Sequence, residues 1–205
     1  MLLVIAALSG LILTPAPAKA ALITVEIEAV VDSVSDDGNY LEGKIKVGDI
    51  ITGFYLYDST TPDSNPSPYI GMYEHYTLPY GIKLSIGGFV FQSDPDDVDF
   101  LVSVGNAGGP YSMDNYLIAS RNNLSLSNGA PVDRISWQLD DPTGTALSSD
   151  ALPTAPPVLD DWQTDVLVFG ADRRYGIGAH VTSAIPEPST IILLSLAALV
   201  LSKRS

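Results

Sequence analysis

Apolar and polar residues alternate with a period of two along much of the chain, and no long segment repeats its apolar positions every ~3.6 residues as a helix would. Ile23, Val25, Ile27, Ala29 and Val31 alternate with Thr24, Glu26 and Glu28, which predicts a strand with one buried and one wet face. Ser35-Asp36-Asp37-Gly38-Asn39 is a turn cluster after it, and a second strand is expected near Ile50–Tyr57. Asp58 to Pro68 reads as a long polar loop, because three prolines exclude a central strand or a helix. In the segment Ile82–Phe91, Gly87-Gly88 is suited to a two-residue hairpin turn whose central residues take positive φ. That register sets Ile86 opposite Phe89 and Leu84 opposite Phe91 on one face, with Lys83, Ser85 and Gln92 on the other. Further strands are expected at Phe100–Val104, Asn115–Ala119, Ile135–Leu139, Val166–Phe169 and Ile177–Val181. A proline-rich loop, Asp140–Asp161, lies between the third and fourth of these. About eight short strands in one unit predict an all-β fold, an antiparallel β-sandwich.

The two ends break the alternation. Leu2–Leu13 is an apolar run followed by Ala18-Lys19-Ala20, the order of a secretory signal peptide cut after Ala20. At the other end stand Pro186-Glu187-Pro188-Ser189-Thr190, the uncharged run Ile191–Leu201, then Lys203 and Arg204. Pro188 suits the rigid entry of a helix. The two basic residues would stay on the cytoplasmic side and leave the rest outside. As a helix the apolar run rises only ~16 Å against a hydrocarbon core of ~30 Å. A span that short fits a temporary anchor. The expected division is therefore a signal peptide at 1–20, a β-sandwich domain at 21–184 and a sorting and transmembrane tail at 185–205.

In the order Pro186-Glu187-Pro188, apolar run, Lys203-Arg204, the tail resembles the PEP-CTERM sorting signals handled by exosortase-type membrane proteases of Gram-negative bacteria. The resemblance covers about a tenth of the chain. It implies an exported protein held briefly at the inner membrane, processed near Pro186, Glu187 and Pro188, and delivered to the cell surface or extracellular matrix. Its partners would be the export machinery and the protease. Phrases such as Tyr57-Asp58 and Thr61-Pro62-Asp63-Ser64 look loosely like the β-rich domains that precede such tails, and this second resemblance implies no activity.

The chain has 205 residues and no cysteine, which excludes disulfides, thiolate nucleophiles and cysteine-bound metals. Between Ala21 and Ile185 there are 23 acidic and 7 basic residues, a net charge of −16. That sign disfavours nucleic acid as a partner and favours solubility and divalent cations. Asp94, Asp96, Asp97 and Asp99 form the densest acidic cluster, readable as a solvated loop or as a set of oxygen ligands for calcium. No G-x-S-x-G, H-E-x-x-H or phosphate-binding glycine loop is present. His180 is expected to face solvent from a strand, and His75 to take a surface or packing role among Tyr73, Tyr76 and Tyr80. Trp137 shares the parity of Ile135 and Leu139 and is expected in the core, whereas Trp162 is the better candidate for exposure. The leading expectation is a non-enzymatic structural or adhesive protein without a cofactor. The alternatives are a module binding exopolysaccharide, helped by calcium, and a glycosidase using two carboxylates.

Overall fold

The computed structural model describes residues 22–108 and 112–187. Alternation becomes ten strands: β1 (Leu22–Ser35), β2 (Ile50–Asp58), β3 (Ile70–His75), β4 (Gly81–Ile86), β5 (Phe89–Gln92), β6 (Phe100–Gly105), β7 (Asp114–Ser120), β8 (Arg134–Asp141), β9 (Thr164–Ala171) and β10 (Tyr175–Pro186). A short 3-10 turn at Leu159–Asp161 is the one helical element among the described residues. All neighbours pair antiparallel, in the order β3-β6-β7-β8-β9-β10-β1-β2-β4-β5. The all-β antiparallel expectation holds. The two-sheet sandwich is corrected: the hydrogen-bonded ladder is unbroken, and a single sheet curls until its own halves face each other.

The curl is visible in contacts across the interior. Phe91 on β5 meets Phe169 on β9 edge-on at 4.7 Å, and Tyr55 on β2 lies against Trp137 on β8 at 6.0 Å. The hydroxyls of Tyr55 and Tyr116, on β2 and β7, share a hydrogen bond of 3.1 Å. The long central strands β1 and β10 carry register shifts at Glu28/Ala29 and Val31/Ser33. An extra residue in one strand bends it and reverses which parity points inward. Accordingly Val25, Ile27, Ala29 and Val31 face the core, Asp32 and Ser33 are both exposed, and Val34 resumes the inward face opposite Ile177. A two-sheet arrangement would interrupt the ladder, whereas here it bends and stays continuous.

The Gly87-Gly88 hairpin has the register read from its sequence, Ile86 opposite Phe89 and Leu84 opposite Phe91. Both glycines have positive φ, 58° and 80°. Inward positions carry large side chains throughout: Trp137, Tyr55, Tyr57, Tyr116, Phe91 and Phe100 are all fully buried. One of these, Tyr57, and Tyr73 on β3 also pin the proline-rich loop over one end of the core. The Tyr57 hydroxyl donates to the carbonyl of Pro153 at 2.9 Å, and the Tyr73 hydroxyl to that of Asp150 at 2.8 Å.

β3 was not expected. Its inward positions are Gly71, Tyr73 and His75, so the alternation lacks the aliphatic residues that mark the other strands. His75 is buried, ringed by Tyr57, Tyr80 and Phe100, and the packing alternative for it holds. Its Nε2 accepts from the backbone N–H of Asp58 at 3.1 Å, which places the proton on Nδ1, 3.1 Å from the carbonyl of Tyr73. Burial pushes its pKa down, keeping the ring neutral.

Candidate functional site

β10 ends at Pro186, which stands opposite Val25, and the N–H of Glu187 donates to the carbonyl of Thr24 at 3.1 Å. The first two residues of the Pro-Glu-Pro motif thus extend the central ladder, and the folded unit reaches past the boundary expected at residue 184. Ala18, Ala20, Pro188, the apolar run 191–201, Lys203 and Arg204 lie outside the described residues. Among the described residues no helix is long and apolar enough to cross a membrane.

The acidic cluster occupies the loop between β5 and β6. Its carboxylates are engaged one at a time: Asp94 Oδ1 accepts from the N–H of Asp96 at 2.9 Å, and Asp97 Oδ2 from Asn122 Nδ2 at 3.0 Å. Asp99 Oδ1 meets the Arg121 guanidinium at 3.4 Å. The loop is held by its own turn at Asp94 and by Arg121 and Asn122 from the loop after β7, and among the described residues no three acidic or histidine side chains converge as metal ligands. Two further carboxylates are fully buried. Asp114 accepts from the N–H groups of Ala107 at 2.6 Å and Leu147 at 2.7 Å. Asp141 stands opposite it and accepts from the Thr143 hydroxyl at 2.6 Å and the backbone N–H of Thr145 at 2.7 Å. Bonds from Thr143 and then from Thr145 hold the Asp141 carboxyl far below the usual range. Both organise loops.

The remaining sequence candidates sort cleanly. His180 faces solvent, as expected, and its Nδ1 lies 2.9 Å from both carboxylate oxygens of Asp32. Trp137 is in the core, and its Nε1–H donates to Asp165 at 2.7 Å. Trp162 is half-buried and packed against the core, so it takes the rim position.

A concave surface that sequence reasoning missed lies on the outer side of β8, β9, β10 and β1. The register lines up Arg134, Gly170, Gly176 and Ser35 in one row, and Val168, Gly178 and Ser33 in the next. Residues directly opposite in antiparallel strands share a face, so three glycines leave the middle of this surface without side chains. The result is a trough of about 910 Å³. One end is bounded by the turn Asp172-Arg173-Arg174, closed by the Arg174 N–H donating to Ala171 at 3.1 Å. The other side is the turn that follows Ser35, where the Asp36 carboxylate accepts from the N–H groups of Tyr40 at 2.7 Å and Leu41 at 2.8 Å. This turn sets the half-buried ring of Tyr40 5.9 Å from the ring of Tyr175. Burial, with Asp133 and Asp36 nearby, pushes the Tyr175 phenol up to about 12.

No family model, characterised protein or solved structure matches the chain.

Proposed function

We propose that this chain is an exported, non-enzymatic structural or adhesive protein, whose Pro-Glu-Pro tail directs brief inner-membrane anchoring and processing by an exosortase-type protease. The observation that carries this reading is the position of the motif. β10 brings Pro186 and Glu187, both exposed, to the end of the described ladder, and in sequence only Pro188, Ser189 and Thr190 separate them from the apolar run. A protease at the membrane surface would then meet the motif at the edge of a stable domain. The body suits the extracellular setting, because its stability rests on a packed aromatic and aliphatic core with no cysteine to oxidise.

The test is mass spectrometry of the mature protein from an expressing cell that contains the protease. The expected species begins near Ala21 and lacks Ile191–Leu201. Recovery of only full-length tails under those conditions, or unchanged routing after Pro186, Glu187 and Pro188 are all replaced by alanine, would overturn the proposal.

A further inference from the structure

We infer that the trough over β8, β9, β10 and β1 binds a polysaccharide bearing carboxylate groups, such as a uronate polymer. The first ground is charge. Three of the seven basic residues between positions 21 and 185, Arg134, Arg173 and Arg174, line this one surface of a strongly acidic body. Among the described residues none of the three guanidinium groups has an ion-pair or hydrogen-bond partner. Arg121, by contrast, meets Asp99 at 3.4 Å. Three that stay open around one concavity are set for an external anion, and the planar guanidinium fork matches a carboxylate.

The second ground is the floor. Gly170 has a φ of 147°, and a Cβ there would lie 2.5 Å from the carbonyl oxygen of Tyr175. A Cβ on Gly178 would lie 2.6 Å from Ser33 Oγ. The backbone therefore requires glycine at 170, whereas at 178 the neighbour is the end of an exposed serine side chain that can turn away. Gly176 is different: its φ is ordinary and a Cβ would meet nothing within 4 Å, so the fold has room for a side chain there. Glycine in a strand interior loses backbone entropy and packs nothing, so it weakens the strand relative to alanine. Its presence keeps the trough open.

The third ground separates a sugar from other polyanions. Beside the arginines the trough presents the hydroxyls of Ser33 and Ser35, the carboxylate of Asp37 and the Tyr40 ring. Hydroxyls and carboxylates serve the many hydroxyl groups of a saccharide, and an aromatic ring serves its apolar face. The inference stands whether or not the tail is a sorting signal.

The experiment is calorimetric titration of the full chain, purified in mild detergent, with a short oligogalacturonate, a neutral gluco-oligosaccharide of equal length, and an oligothymidylate. Binding of the oligogalacturonate alone, weakening as salt is raised, is expected. Arg134→Ala and Arg173→Ala should each weaken it about tenfold, as loss of one charged hydrogen bond does. Gly176→Ile should block it while the melting temperature stays level or rises, and Lys83→Ala, on the far part of the sheet, should leave it unchanged. No binding of the oligogalacturonate, equal binding of the neutral sugar or the oligothymidylate, or binding indifferent to Gly176→Ile and the arginine changes would each overturn the inference.

Discussion

The hydroxyl pair of Tyr55 and Tyr116 is the most exacting place to test how the curled sheet is held shut. It joins β2 to β7, residues 61 apart in sequence, at 3.1 Å in the interior. Tyr55 is 0% and Tyr116 1% exposed. Burial pushes both phenols above their ordinary range, so the pair stays neutral at every usable pH. Neither hydroxyl has another recorded partner, and both rings lean on Trp137. Tyr55→Phe or Tyr116→Phe therefore strands one hydroxyl in an apolar site. Each single change should cost about 1–3 kcal/mol, the penalty of an unsatisfied buried group. The double change removes both polar atoms together and should cost ~1 kcal/mol or less. Urea unfolding followed by far-ultraviolet circular dichroism measures all four corners of the cycle, with the denaturant slope as the check that compactness is unchanged. The expected coupling is at least ~1 kcal/mol, which separates it from the ~0.3–0.5 kcal/mol scatter of additive pairs. A double variant as unstable as the sum of the singles would show that the two walls do not meet through this bond.

Other expectations can be checked with the same unfolding assay. Gly87→Ala should cost more than Gly88→Ala: both pay for positive φ, about 1–2 kcal/mol, but a Cβ on Gly87 also lands 2.8 Å from Ile45 and 2.9 Å from the carbonyl of Lys44. Gly53→Ala should be worse still, since its Cβ would lie 2.1 Å from the carbonyl of Lys83, and loss of soluble expression is the readout. His75 is held neutral by burial, so the unfolded chain takes up a proton first as pH falls. Stability should drop as pH is lowered through the ordinary histidine pKa of about 6.5 and level off below the depressed folded value; His75→Gln should flatten that slope, whatever its cost at pH 8. Trp137→Phe removes the donor to the Asp165 carboxylate, and about 1–3 kcal/mol should be lost.

The parts of the fold visible in sequence were those decided by neighbours along the chain. The Gly87-Gly88 turn and its flanking pairs were readable to the residue, because turn chemistry and alternation depend on adjacent positions alone. β3 was hidden because its core side is built from Gly71, Tyr73 and His75, residue types that alternation scores as indifferent. The single sheet was hidden for another reason: strand pairing depends on where β1 and β10 bend, and a one-residue bulge leaves no compositional trace. Of the proposed sites, the Pro-Glu-Pro motif is local and legible, whereas the trough is not. Arg134 and Arg173 become neighbours only through the register of β8, β9 and β10, and Gly176 looks like any turn or strand glycine until its row is known.

The placement of β1 has a kinetic consequence. One of its neighbours, β2, is made soon after it, but the other, β10, is the last described strand to emerge from synthesis. The central seam of the sheet is thus a contact between residues such as Val31 and Ala179, with nearly the whole body as the intervening loop. Closing so long a loop is slow, and pairing of this kind tends to come late in folding. One edge of β1 therefore has no strand to pair with until residues 175–186 have been made, and the two halves of the ladder are joined only then.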